Sequence, residues 1–93
     1  MNLYEGMIGV VFDIEIVGID SFTGVENASL HVRRPDGTED QWAVTLQMET
    51  KVFRHVNTTP LMAGIYKIQP YFKLGDFQGR WGTVNFKVKN YWW

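Results

Sequence analysis

The chain has 93 residues, 45% of them hydrophobic, with six Phe, four Tyr and four Trp, a formal net charge of −1 and no cysteine. That length suits one domain over residues 1–93 with a single core, burying roughly two thirds of the surface its unfolded form exposes. The missing cysteines exclude disulfides and thiolate metal ligands, and the near-neutral charge argues against nucleic acid, whose phosphates demand clustered Lys and Arg.

Met1-Asn2-Leu3-Tyr4-Glu5-Gly6 contains no basic residue and no long apolar run. It reads as neither a signal peptide nor a membrane span, so synthesis in the cytoplasm and no membrane partner are expected. Over residues 7–17, Phe12, Ile14 and Ile16 alternate with Val11, Asp13 and Glu15, the period-two mark of a half-buried strand. Residues 18–27 carry Asp, Ser, Thr and two Gly and read as a loop. A second strand follows, with Ala28, Leu30 and Val32 inward and Ser29, His31 and Arg33 outward. Arg34-Pro35-Asp36-Gly37-Thr38 is the clearest turn in the chain: proline presets φ at the first corner and glycine supplies the positive φ of a tight reversal.

A return strand over residues 39–47 directs Trp42, Val44 and Leu46 to one side and Gln41, Ala43 and Thr45 to the other, with Trp42 the expected central core residue. Residues 51–56 form a shorter strand whose faces are both mixed, leaving its register open. The longest strand begins after Leu61-Met62-Ala63-Gly64 and sends Tyr66, Ile68 and Phe72 inward, Lys67, Gln69 and Lys73 outward. Pro70 within it has no N–H for a ladder and implies a bulge or an early end to pairing. Residues 74–82 hold three glycines and Asp76, reading as a flexible hairpin tip that carries Phe77, Arg80 and Trp81. Residues 83–89 close the sheet with Val84, Phe86 and Val88 inward. The expected fold is therefore all-β, an antiparallel β-sandwich of about six or seven strands, its two sheets about 10 Å apart.

Ala63-Gly64-Ile65-Tyr66-Lys67-Ile68 resembles the tyrosine corner of immunoglobulin-like domains, in which a Tyr two residues before an inward position hydrogen-bonds back to nearby backbone. On that resemblance Ile68 stands where antibody domains have cysteine, Trp42 matches the strand-C tryptophan, and Leu30 or Ala28 its strand-B partner; the missing cysteines and Pro70 depart from the pattern. The order of an inward strand, Arg-Pro-Asp-Gly-Thr, and a later Ala-Gly-x-Tyr strand resembles small immunoglobulin-like modules of bacteriophage and prophage structural proteins, such as those at the N-terminus of baseplate proteins. The resemblance covers residues 7–89. It implies a non-enzymatic, virion-associated part, assembled into a phage particle, whose partners are other virion proteins or further copies of itself as a homo-oligomer.

No cofactor is expected. His31 and His55, the two histidines, match no metal-ligand spacing, and no nucleophile elbow or phosphate-binding loop is present. Asn27-Ala-Ser and Asn57-Thr-Thr fit the glycosylation tripeptide by chance. The candidate partner-binding residues are aromatic: Tyr91, Trp92 and Trp93 after the last strand, and Phe77, Arg80 and Trp81 on the hairpin tip, each serving either as interface anchors or as packing over the sheet. The alternative function is a carbohydrate-binding attachment module using Phe77, Trp81 and outward strand residues. Charge is unevenly spread: residues 1–49 carry Arg33 and Arg34 against nine acids, a balance of −7, whereas residues 50–93 carry seven bases against Asp76, a balance of +6. Either early and late strands pair within the molecule or unlike patches join copies head to tail.

Overall fold

The computed structural model describes residues 3–90. Among these the chain is all-β: β1 (Leu3–Tyr4), β2 (Val11–Glu15), β3 (Glu26–Arg33), β4 (Glu39–Ala43), β5 (Thr45–Gln47), β6 (Val52–Val56), β7 (Gly64–Leu74), β8 (Phe77–Arg80) and β9 (Val84–Lys89). A large curled sheet runs β1-β9-β7-β3-β4, with β8 also on β7, and a small sheet runs β2-β6-β5. Neighbours are antiparallel except β1 and β9, which pair in parallel through Leu3↔Val88 and Tyr4↔Lys89. The expected count of six or seven strands and their wholly antiparallel arrangement are corrected accordingly. β1 is two residues long, too short to leave a periodic signal.

Alternation holds where it was clearest. Phe12, Ile14 and Ile16 are buried while Val11, Asp13 and Glu15 are exposed, and along β7 Tyr66, Ile68, Pro70 and Phe72 are buried while Ile65, Lys67 and Lys73 are exposed. The two inner faces meet in one cluster whose aromatic members interlock, with Phe12 against Trp42 at 5.2 Å, Tyr66 stacked on Phe86 at 4.9 Å and Phe53 edge-on to Phe72 at 5.8 Å. β6 resolves the register left open: Phe53 points inward with no exposed surface and Arg54 outward.

Residues 39–47 are not one strand. The chain leaves the large sheet after Ala43 and enters the small one at Thr45, crossing at Val44. His55 pins this corner, stacking on Trp42 at 4.4 Å with its Nδ1 2.7 Å from the Ala43 carbonyl. A strand that turns a corner between sheets keeps its inward parity, so both Trp42 and Leu46 face the core.

Pro70 sits inside the uninterrupted β7, opposite Leu30. On its other side β7 pairs with β9 as far as Ile68↔Val84 and with β8 from Tyr71↔Arg80. Two residues of β7 thus face three of the returning chain, residues 81–83, so the expected bulge lies in the partner strand. The Pro70 carbonyl accepts the Trp81 N–H at 2.8 Å. In an extended strand a residue's N and C=O point the same way, so the missing N–H falls in this bulge and removes no ladder bond.

Three further residues are placed where local pattern did not put them. Phe22, in the loop before β3, is buried against Phe53 at 5.4 Å. Ser29, read as outward, is buried beneath Gln41, whose Nε2 donates to its Oγ. Val84, read as inward, is 40% exposed at the open seam between the sheets.

Candidate functional site

The hairpin after β7 is tighter than its glycines suggested. Leu74 pairs with Phe77 across the two-residue loop Gly75-Asp76, so the returning residues form β8 and not a flexible tip. Alternation along β8 then separates the three predicted residues. Phe77 and Trp81 turn toward the core, each half-buried: Phe77 lies 5.3 Å and Trp81 5.7 Å from Phe72, and the two meet edge to face at 5.2 Å. Trp81 Nε1–H donates to the Val17 carbonyl at 2.7 Å, tying this strand to the end of β2. Arg80 points the other way, beside Tyr71 on the outer face, and its Nη1 donates to Gln69 Oε1 at 2.7 Å. Tyr91, Trp92 and Trp93 lie outside the described residues.

These side chains border two depressions. The first is a groove of about 520 Å³ along the seam where β2 approaches the bulge, with Ile14, Val17, Phe77, Trp81 and Val84 in its lining. Glu15 of β2 and Arg80 of β8 border it on opposite sides. Val17 is 72% exposed beside it, and β2 is an outer strand of the small sheet. Apolar lining with one charge of each sign suits contact with a protein surface.

The second depression, about 330 Å³, lies on the outer face of the large sheet among His31, Arg33, Lys67, Gln69, Arg80 and Thr83. Gln69 is held from both sides, accepting from Arg80 and donating through Nε2 to Thr83 Oγ1 at 3.0 Å. His31 is stacked on Tyr71 at 4.9 Å, and Gln78 Nε2 donates to the Tyr71 hydroxyl. Nothing about residues 67, 69 and 83 marked them in sequence beyond their outward parity; the β7 register and the bulge bring them together.

The two histidines stand on different sheets, and among the described residues no three potential metal ligands gather. Arg33–Glu39 and Arg34–Asp40 both lie within the β3–β4 hairpin, and Arg54–Asp13 joins the acidic half of the chain to the basic half. Arg54 grips Asp13 with two hydrogen bonds, at 2.8 and 3.0 Å, and these hold its carboxyl below the usual aspartate range. Arg34 does the same to Asp40. The Asn57 tripeptide is structural: that side chain is 2% exposed, accepting the Val10 N–H and donating to the Met7 and Thr59 carbonyls.

No family model, curated protein or solved structure matches the chain. Its function is therefore read from its own residues and geometry.

Proposed function

We propose that the chain is a non-enzymatic assembly module of the immunoglobulin-like β-sandwich class, a structural part of a phage or prophage particle that acts through protein contacts, first of all with copies of itself. The observation that carries the assembly reading is the seam groove, in which an apolar lining lies between Glu15 on one wall and Arg80 on the other. A two-fold contact repeats every pairing, so a surface with one acid and one base on opposite sides of an apolar strip is complementary to itself. Each copy's Glu15 meets the other copy's Arg80, and the exposed Val17 of each enters the apolar lining of the other.

The immunoglobulin-like class is supported by the Tyr66 hydroxyl, which accepts the Met62 N–H at 2.8 Å as a tyrosine corner does, and by Trp42, buried against Tyr66 at 6.3 Å. The virion setting rests on the likeness of the Arg-Pro-Asp-Gly-Thr turn and the Ala-Gly-x-Tyr strand to phage modules.

Sedimentation equilibrium over a wide concentration range tests the assembly reading. The wild type should form dimers, Glu15→Arg and Arg80→Glu should each be monomeric, and the double variant should recover association because it restores opposite charges across the contact. A wild type that stays monomeric up to its solubility limit rejects self-assembly, and association unaffected by either single variant rejects this groove.

A further inference from the structure

We propose that the polar depression on the outer face of the large sheet binds an acidic saccharide, a sugar unit that carries a carboxylate. The reasoning begins with hydrogen-bonding capacity. The two carboxylates at its border, Glu39 and Asp40, are engaged by Arg33 and Arg34. The Gln69 carbonyl oxygen is occupied by Arg80, and the Thr83 hydroxyl oxygen accepts from Gln69. Toward Lys67, Gln69, Arg80 and Thr83 the free capacity is weighted to donors, the Lys67 ammonium, the remaining guanidinium N–H groups of Arg80, the second amide N–H of Gln69 and the Thr83 hydroxyl proton, against one remaining lone pair on each of the Gln69 and Thr83 oxygens. The ligand that answers this set is rich in oxygen acceptors and carries negative charge.

Shape narrows the class. A volume of about 330 Å³ is at the small end of ligand sites and larger than a lone inorganic anion needs. A planar guanidinium suits a carboxylate, while an ammonium, an amide and a hydroxyl spread around it suit the hydroxyl oxygens of a sugar ring. Gln69 is fixed at both ends and His31 is held by its stack on Tyr71, so part of the ordering that binding would otherwise require is already done. Lys67 and Arg80, the two lining cations outside the described ion pairs, are too few for a nucleic-acid backbone, which needs a run of them.

This inference does not depend on self-assembly. Arg80 borders both depressions, so the deciding variants are placed elsewhere. Titration of ¹⁵N-labelled protein with tri-galacturonic acid, neutral galactotriose and inorganic phosphate, each followed by amide shifts, tests it. The acidic trisaccharide should shift residues 31, 67, 69 and 83. Lys67→Gln should weaken it about tenfold, whereas Lys73→Gln, the same charge change at an exposed position outside the depression, should leave affinity within about twofold. No shifts at these residues, equal weakening by both lysine variants, or binding of galactotriose or phosphate as tight as that of the acidic sugar would each overturn the proposal.

Discussion

Gly64 opens β7 with φ at +124°, and a Cβ built on it would lie 2.6 Å from Pro35 Cβ and 3.0 Å from Pro35 Cγ. Gly64→Ala therefore incurs two separate penalties. Placing an L side chain at positive φ costs about 1–2 kcal/mol, and forcing apart a packed contact adds about 1–3 kcal/mol, so about 2–5 kcal/mol is expected in total. Gly37, in the neighbouring turn, has φ at +87° and open space where its Cβ would go, so Gly37→Ala isolates the first penalty at about 1–2 kcal/mol. Pro35→Gly removes both offending carbons and leaves only Pro35 Cα, 3.9 Å away in ordinary contact. In that background the cost of Gly64→Ala should fall by about 1–3 kcal/mol, the coupling between the two positions. Urea unfolding followed by tryptophan fluorescence, with midpoints compared at constant slope, measures the wild type and all four variants. Equal costs for Gly64→Ala and Gly37→Ala, or a Gly64→Ala cost that Pro35→Gly leaves unchanged, would refute the close-packing argument.

Asn57→Ala removes the partner of the Val10 N–H and of two carbonyls at a buried position. It should cost about 2–4 kcal/mol and strip hydrogen-exchange protection from Val10; a loss under about 1 kcal/mol would mean that water replaces the amide. Asp13 and Asp40 are held below the ordinary aspartate value of 3.8 by Arg54 and Arg34. Their folded pKa values being depressed, the unfolded chain binds more protons in acid, so their contribution is full above 3.8 and lost as pH falls through the depressed values. Melting temperature should accordingly hold steady down to the carboxylate range and then drop, with a smaller drop in Asp40→Asn; parallel acid curves for variant and wild type would exclude this pair as a source of the dependence.

The fold was legible in sequence where the information is local. Period-two alternation marked β2, β3 and β7 because adjacent side chains of a strand must face opposite ways, and Pro35 with Gly37 marked the β3–β4 reversal because proline fixes φ and glycine permits a positive φ, each within its own residue. The bond from the Met62 N–H to the Tyr66 hydroxyl was legible for the same reason, since it spans only four residues.

The candidate sites were legible only in part. Phe77, Arg80 and Trp81 were picked out as large side chains in a glycine-rich stretch, but which way each points depends on β8 pairing with β7 from Leu74↔Phe77 onward. Lys67, Gln69 and Thr83 carried no local mark beyond outward parity.

The sequence by itself determined which residues can share a face, where the chain must turn, and that an all-β core rich in aromatic rings would form. Tertiary structure alone decided that the chain changes sheets at Val44, that Pro70 falls opposite a bulge, that Phe22 and Asn57 leave their loops for the interior, and that Arg80 joins Gln69 and Thr83. Each of those depends on pairing between segments far apart in the chain. The free energy of such a contact belongs to both partners together and leaves no trace in the pattern of either one.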